Sequence, residues 1–238
     1  MFINLNQNKN FKLFKIISEV AGRNGQSVYA VGGFVRDLLM KRKAPTDIDF
    51  VTESSGIELA ESIAKEIDPK TKVAVFKTYG TAMFKYKDLE LEFVGARKES
   101  YHFDSRNPVV ENGTLEDDQN RRDFTINALA LSLNNENFGE LSDPFNGLAD
   151  LENKVIKTPL DPDITFSDDP LRMLRGIRFA NQLGFEIEEN SLNSITKNAH
   201  RIKIISGERI VDELNKILST DTPSVGFLLL YKTGLLDI

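Results

Sequence analysis

Val31-Gly32-Gly33-Phe34-Val35-Arg36-Asp37, with Thr46-Asp47-Ile48-Asp49-Phe50-Val51 close behind it, is the stretch on which the fold turns. The first segment lies between a short apolar strand (Val28 to Val31) and an amphipathic helix (about Phe34 to Lys41). Two glycines at such a junction let the backbone approach a ligand, and the first turn of the helix offers unpaired N–H groups and a positive dipole end to a phosphate. Alone, the pair is also compatible with a plain tight turn. In the second segment the period of a strand puts Asp47 and Asp49 on one face and Ile48 and Phe50 on the other. Two carboxylates side by side repel unless a cation lies between them. A solvated strand edge is the alternative for an isolated Asp-x-Asp, but behind a phosphate cradle the pair points to a site for divalent cations.

Working outward, Leu13, Ile16, Ile17, Val20 and Ala21 space as one face of a preceding helix, and Ala60, Ile63, Ala64 and Ile67 as one face of a following one. Strands are expected at Val73–Phe76, Ala82–Tyr86 and Leu89–Val94, then a polar loop from about Lys98 to Asn120 and a helix from about Phe124 to Leu131. After Asp150 the pattern is helical alone, over Leu171–Leu183, Ser191–Asn198, Gly207–Leu218 and Ser224–Thr233, with Thr158–Pro162 as a connector. The reading is an α+β chain of two lobes, 1–155 and 156–238.

Three further clusters carry chemistry. Glu90 and Glu92 share a face opposite Leu89, Leu91 and Phe93; either could complete a metal site, or both could face water. Within Arg121-Arg122-Asp123-Phe124-Thr125-Ile126-Asn127, helical spacing would put Asp123 and Asn127 on one face, able to hold a ribose hydroxyl, with the arginines near phosphates. An N-terminal Asp with a structural Asn is the plainer alternative. In Asp168-Asp169-Pro170-Leu171-Arg172-Met173-Leu174-Arg175-Gly176-Ile177-Arg178, a helix would bury Met173, Leu174 and Ile177 and present Arg172, Arg175 and Arg178 together. A solvated face usually mixes signs, so this stripe suits an anion or nucleic acid.

Composition narrows the chemistry. The 238 residues are 40% hydrophobic and 28% charged, with no apolar run long enough to span a membrane, no cysteine, and two histidines, His102 and His200. Disulfides, thiol catalysis, cysteine-based zinc sites and histidine-rich metal centres are excluded, so zinc is not expected and any metal needs carboxylate ligands, which favours Mg²⁺. The N-terminus lacks the pattern of a signal peptide, and a cytoplasmic location is expected. The net charge is −6, with 21 Lys and Arg against 28 Asp and Glu up to residue 169 and 9 against 8 beyond it. Any nucleic-acid contact must therefore be a local patch.

In this order, Gly-Gly-x-Val-Arg-Asp, Asp-x-Asp, Arg-Arg-Asp-Phe-Thr-x-Asn and Asp-Asp-Pro-Leu-Arg-x-Leu-Arg resemble the motifs of the class II tRNA nucleotidyltransferases (CCA-adding enzymes) and their bacterial poly(A) polymerase relatives. The likeness runs from about Tyr29 onward and takes in the Asp143-Pro144-Phe145-Asn146-Gly147 turn and the Gly207-Glu208-Arg209 helix start. It implies a DNA polymerase β-like nucleotidyltransferase head, with a mixed, largely antiparallel sheet, followed by an all-helical neck, the family's body and tail lying beyond. It implies that Gly32 and Gly33 hold the triphosphate and that Asp47 and Asp49 are catalytic and bind Mg²⁺, with Glu92 where relatives carry a further acidic residue. Arg122 and Asp123 are placed at the ribose, Asp169 and Arg172 at the base, and Arg36, Asn127, Arg175 and Arg178 in the same nucleotide-binding set. The assignment of Asp169 and Arg172 has a physical basis: cytosine and adenine each offer an amine donor beside a ring acceptor, which a carboxylate and a guanidinium match, whereas guanine and uracil offer the reverse.

The implied activity is addition of CCA to the 3′ end of tRNA from CTP and ATP. Poly(A) synthesis and partial addition of CC or A are alternatives within the family, and a catalytically silent RNA-binding fragment is an alternative outside it. Thr78-Tyr79-Gly80-Thr81-Ala82 resembles the CCA type, and a full-length loop containing Arg106, Asn107 and Pro108 disfavours CC addition alone.

Overall fold

The computed structural model describes residues 1–43, 45–102 and 105–238, with side chains described for all of these but 100–109. By internal contacts the chain forms two compact units, neither continuous in sequence: 1–98, 110–121 and 127–144 in the first, and 99–109, 122–126 and 145–238 in the second.

In the first unit α1 (Phe11–Arg23) buries Leu13, Phe14, Ile17, Val20 and Ala21, as its apolar spacing predicts. The chain then makes β1 (Tyr29–Val31), α2 (Gly33–Leu39), β2 (Asp47–Thr52), α3 (Gly56–Ile67), β3 (Ala74–Phe76), β4 (Thr81–Tyr86) and β5 (Leu89–Gly95). Ser55 caps α3 by accepting from the Glu58 N–H at 3.2 Å. Together with β8 (Ala130–Ser132) and β9 (Leu141–Ser142) these strands form one sheet in the order β3-β4-β5-β2-β1-β8-β9 among the described residues. Only the β2–β5 pairing is parallel; the other pairings in this sheet are antiparallel. The mixed, largely antiparallel sheet is therefore the one expected.

One face of the sheet is a ladder of rings. Phe50 stacks on Phe93 at 4.8 Å between centroids and Phe93 on Phe84 at 5.7 Å, with Phe14 edge-on to Phe50. Each buried ring contributes on the order of 2 kcal/mol. A one-residue slip of β2 would expose Ile48 and Phe50 and bury Asp47 and Asp49, so the ladder fixes which way the carboxylates point.

Two expectations fail here. The interval from Lys98 to Asn120 is not a plain loop: β6 (Arg97–His102) and β7 (Ser105–Asn112) make a two-stranded ribbon, and α4 (Leu115–Asn120) follows with a reciprocal cap between Thr114 and Asp117. The helix expected over Phe124–Leu131 is instead a single 3₁₀ turn, Thr125–Asn127, running into β8. Phe124, Ile126 and Ala128 to Leu131 are all buried, so this run has no polar face to set a helical period.

The second unit carries α5 (Gly147–Asn153), α6 (Pro162–Asp168), α7 (Leu171–Leu183), α8 (Glu189–Asn198), α9 (Gly207–Leu218) and α10 (Pro223–Lys232). The bounds of α7 and α9 are those expected. The region is not helical alone, because β10 (Val155–Ile156) and β11 (Glu186–Ile187) pair in parallel beside α7. Along α7, Met173, Leu174 and Ile177 are buried, and Gly176 lets the Phe124 ring close in: a Cβ there would lie 3.1 Å from Phe124 Cζ.

Candidate active site

The two leading motifs meet through strand register. Val31 at the end of β1 is the cross-strand partner of Asp49 on β2, so the chain leaves the sheet at Gly32 directly beside that carboxylate. Gly32 has φ +70° and ψ −138°, a conformation that side-chain-bearing residues rarely adopt, and it starts α2. Asp47 and Asp49 are exposed, between fully buried Ile48 and Phe50.

Register also decides between Glu90 and Glu92. Across the parallel β2–β5 pair, Asp47 faces Glu90 and Asp49 faces Glu92. Glu90 has a cation of its own, with Lys85 Nζ 3.1 Å from its carboxylate. Glu92 does the opposite of relaxing: burial and then the charge of Asp49 push its carboxyl above the usual range, against an opposing pull from Arg97. Among the described residues no group of three or more His, Cys, Asp or Glu side chains is placed so that it could hold a metal ion. The donor set nonetheless suits a hard divalent ion, with two exposed carboxylates on one strand face and a third, crowded one on the next strand.

Arg36 is 6% exposed and turned inward. Its Nε donates to Asp37 Oδ1 and its Nη1 to Asn127 Oδ1, both at 2.9 Å. It thereby ties the glycine turn's helix to the last residue of the 3₁₀ turn. Asn127 is thus occupied by Arg36, and the shared helical face expected for Asp123 and Asn127 does not exist, since no helix spans them. Arg121 pairs with Asp118, which is fully buried, and Arg122 is half-buried.

In the second unit Asp123 is 7% exposed. Its Oδ1 accepts from the Phe124 N–H at 3.0 Å and its Oδ2 from the Arg175 guanidinium at 2.7 Å. Asp123 in turn holds the Arg175 proton more firmly than usual. Arg178 lies over the Phe179 ring, 3.9 Å from its centroid, and donates to Glu213 Oε2 at 2.6 Å. The arginine stripe is therefore not the open face expected: Arg175 and Arg178 have carboxylate partners, and the Arg178 side chain is 11% exposed.

At the start of α7, Asp169 Oδ1 accepts from the Leu171 N–H, and the Arg172 N–H donates to the Asp169 carbonyl one turn back. Arg209 Nη2 lies 3.8 Å from Asp169 Oδ2. Burial raises Asp168 next door, with Arg172 and Arg201 opposing. Arg209 and Glu213 were not assigned roles from sequence; their four-residue spacing on α9 was the signal, and their partners lie 40 and 35 residues away. The expectation attached to Arg106, Asn107 and Pro108 falls on side chains outside those described.

Comparison with known proteins agrees with the motifs. The model of the poly(A) polymerase head domain matches residues 28–157, and that of the "probable RNA and SrmB-binding site of polymerase A" matches residues 184–238.

The chain belongs to the poly(A) polymerase head-domain family.

Within this class II family, it is 41% identical over 196 residues to an A-adding tRNA nucleotidyltransferase of Aquifex aeolicus, covering 81% of this chain and 23% of the relative. It is 36% identical over 230 residues to a CCA-adding enzyme of Anoxybacillus flavithermus, covering 96% and 55%. A tRNA nucleotidyltransferase solved with a primer tRNA and an incoming ATP analogue superposes with TM-score 0.81 at 34% identity, over 93% of this chain and 61% of that one. The chain thus spans about a quarter of the first relative's length and about half of the second's.

Proposed function

We propose that this chain is the head and neck (1–155 and 156–238) of a template-independent RNA nucleotidyltransferase that adds CCA to the 3′ end of tRNA from CTP and ATP in the cytoplasm. The observation that carries the reading is the row Val31–Asp49–Glu92 across β1, β2 and β5. It brings the glycine turn, the Asp pair and a third carboxylate to one place.

In this reading the backbone at Gly32 and Gly33 receives the triphosphate, and Arg36 fixes the turn through Asp37 and Asn127 instead of reaching a phosphate. Asp47 and Asp49, with Glu92, would hold Mg²⁺. Bound there, Mg²⁺ supplies acidification of the primer's 3′ hydroxyl and neutralisation of charge on the departing pyrophosphate. Asp123, held by Arg175, offers an acceptor to the ribose. Asp169 accepts from the amine of cytosine or adenine while Arg172 donates to the ring nitrogen, and Arg209 steadies Asp169. No histidine or thiol is required, as the composition demands.

The 41% identity to an A-adding relative favours addition of A alone as the second reading. The test is a denaturing gel of tRNA lacking its CCA end, incubated with Mg²⁺ and CTP, ATP or both, beside Asp47→Ala. Addition of C, C and A that then stops supports the proposal. A single A on a CC-ended primer, with no C added, means A addition; a long A ladder means poly(A) synthesis. RNA binding with neither addition nor Mg²⁺-dependent nucleotide binding means a silent fragment.

A further inference from the structure

The sheet face that carries Asp47 and Asp49 does not stop at β5. Directly paired residues share a face, and register carries this face outward in three rows. Asp47 pairs with Glu90 and Glu90 with Lys85; Asp49 with Glu92, then Met83, then Ala74; Val51 with Val94, then Thr81, then Phe76. The outer end of the face is exposed. Ala74 is solvent-facing, Phe76 is 45% exposed and the Lys85 side chain 76%.

The charge of this margin is unlike that of the chain. Between Pro69 and Lys87 there are five lysines and no Asp or Glu, in a protein of net charge −6. Lys70, Lys72, Lys77, Lys85 and Lys87 are all exposed, as is Tyr79 at 70%. A hollow of about 400 Å³ opens on the margin, with Ala74 and Met83 among its lining and Lys72 and Lys85 beside them. That volume and lining suit a stacked base with phosphates at the two ammonium groups.

We propose that the β3–β4 margin is a track for single-stranded RNA, with Lys72 and Lys85 meeting phosphates and Phe76 and the Ala74–Met83 floor taking a base. The occupant follows from charge complementarity: five exposed lysines around exposed aromatic and apolar groups, in a segment that contributes no carboxylate of its own, match a polyanion whose bases have flat faces. Lys85 now pairs with Glu90, but both are well exposed, and such a pair is exchanged for a phosphate at little cost. Three strand spacings, roughly 14 Å, separate β3 from β2, so a few nucleotides of extended strand on the track would lead to the Asp pair. The proposal rests on the nucleotidyltransferase reading for where the strand leads, and on the margin itself for its binding.

The test uses the whole chain and a short fluorescein-labelled single-stranded oligoribonucleotide, read by anisotropy across a salt series, with Mg²⁺-dependent ATP binding followed by thermal shift in parallel. Lys72→Glu with Lys85→Glu is expected to weaken RNA binding at least about tenfold at roughly 0.1 M salt, and to reduce the salt slope by about 1.4, for two single-strand phosphates. Phe76→Ala is expected to weaken it at least about fivefold. ATP binding should be unchanged in both. If the charge-reversed chain melts early, Lys72→Gln with Lys85→Gln gives the same comparison with a smaller effect. Wild-type RNA affinity in the lysine variants overturns the track, and so does a wild-type chain that does not bind the RNA; in the latter case a protein partner is the remaining occupant for the margin. Loss of RNA binding in the variants of a chain that binds no ATP would instead support the track and count against the nucleotidyltransferase reading.

Discussion

Two charged clusters in this protein are built on opposite rules. On β2 and β5, Asp47 and Asp49 stand exposed on one face and Glu92 is pressed against Asp49, so that burial and like charge raise its carboxyl. Around α7 and α9, Asp123 is held by Arg175, and Glu213 by Arg178 and Lys216, each carboxylate in contact with guanidinium or ammonium donors at 2.6 to 2.8 Å. Charge compensated within the chain maintains the fold. Charge crowded against its own sign weakens the fold, and a cation brought to it from outside would relieve that cost.

That distinction is tested most severely at the Asp pair. Asp47→Ala or Asp49→Asn is expected to lower nucleotide addition by at least about 100- to 1,000-fold, the scale on which one group stabilising a transition state is felt. The melting temperature should stay level or rise, because a repulsive neighbour has been removed. Gel assay and thermal melt on the same preparations check both halves. Activity within about tenfold of wild type, or a sharp loss of stability, would place the pair among structural charges.

The paired cluster should fail in the opposite sense. Glu213→Ala leaves Arg178 largely buried without its carboxylate, and a loss on the order of 3 to 5 kcal/mol in urea unfolding is expected. Replacing both partners with apolar residues, Arg178→Met with Glu213→Leu, should recover most of it, because the cost lies in the orphaned charge. A double variant as unstable as the single one would show that the pair is not the unit that matters.

A third variant separates support of the sheet from its charge. A Cβ on Gly56 would lie 2.7 Å from the Val94 backbone, where nothing flexible can yield. Gly56→Ala is expected to cost about 1 to 3 kcal/mol, with the Mg²⁺-dependent thermal shift from ATP retained. Loss of that shift at constant stability would couple the start of α3 to the carboxylates.

The sequence made the two clusters unequally legible. Asp47 and Asp49 could be assigned a face because strand alternation is local, and the glycine turn, compatible alone with a plain tight turn, gained its meaning from the motifs that follow it. The bounds of α7 and α9 followed from apolar spacing ending at Gly184 and beginning after Ser206. What the residues could not show was pairing over distance. Glu90 and Glu92 look alike, and each faces an Asp on β2, until register sets Lys85 on the other side of Glu90 and Met83 on the other side of Glu92. Arg175 and Arg178 read as an open stripe because Asp123 and Glu213 lie 52 and 35 residues away. The Phe124–Leu131 segment read as helix because β8 owes its strand form to β1 and β9, not to a pattern of its own. Strands β10 and β11, two residues each, leave no periodicity to detect.

The smallest expected effect is also the most specific, because the two clusters should respond to acid with opposite signs. At Glu213 burial pushes the carboxyl up, but Lys216 and Arg178 outweigh it and hold it below the usual range. A native carboxyl held low contributes stability that is complete above its unfolded value, near 4.3, and that disappears as pH falls through the native value. Glu213→Gln should therefore flatten the acid limb of the stability curve as pH falls below the unfolded carboxylate range, near 4.3. At Glu92 the native carboxyl is raised, so the native state binds more protons than the unfolded one near and above that range, and stability falls as pH rises through the native value. Glu92→Gln should accordingly gain stability at neutral pH and show a steeper relative decline in acid than wild type, the reverse of Glu213→Gln. Urea midpoints of the three proteins at a series of pH values decide the matter: limbs that shift in the same direction would mean that Glu92 is compensated within the chain, as Glu213 is, and is not held up by burial and Asp49.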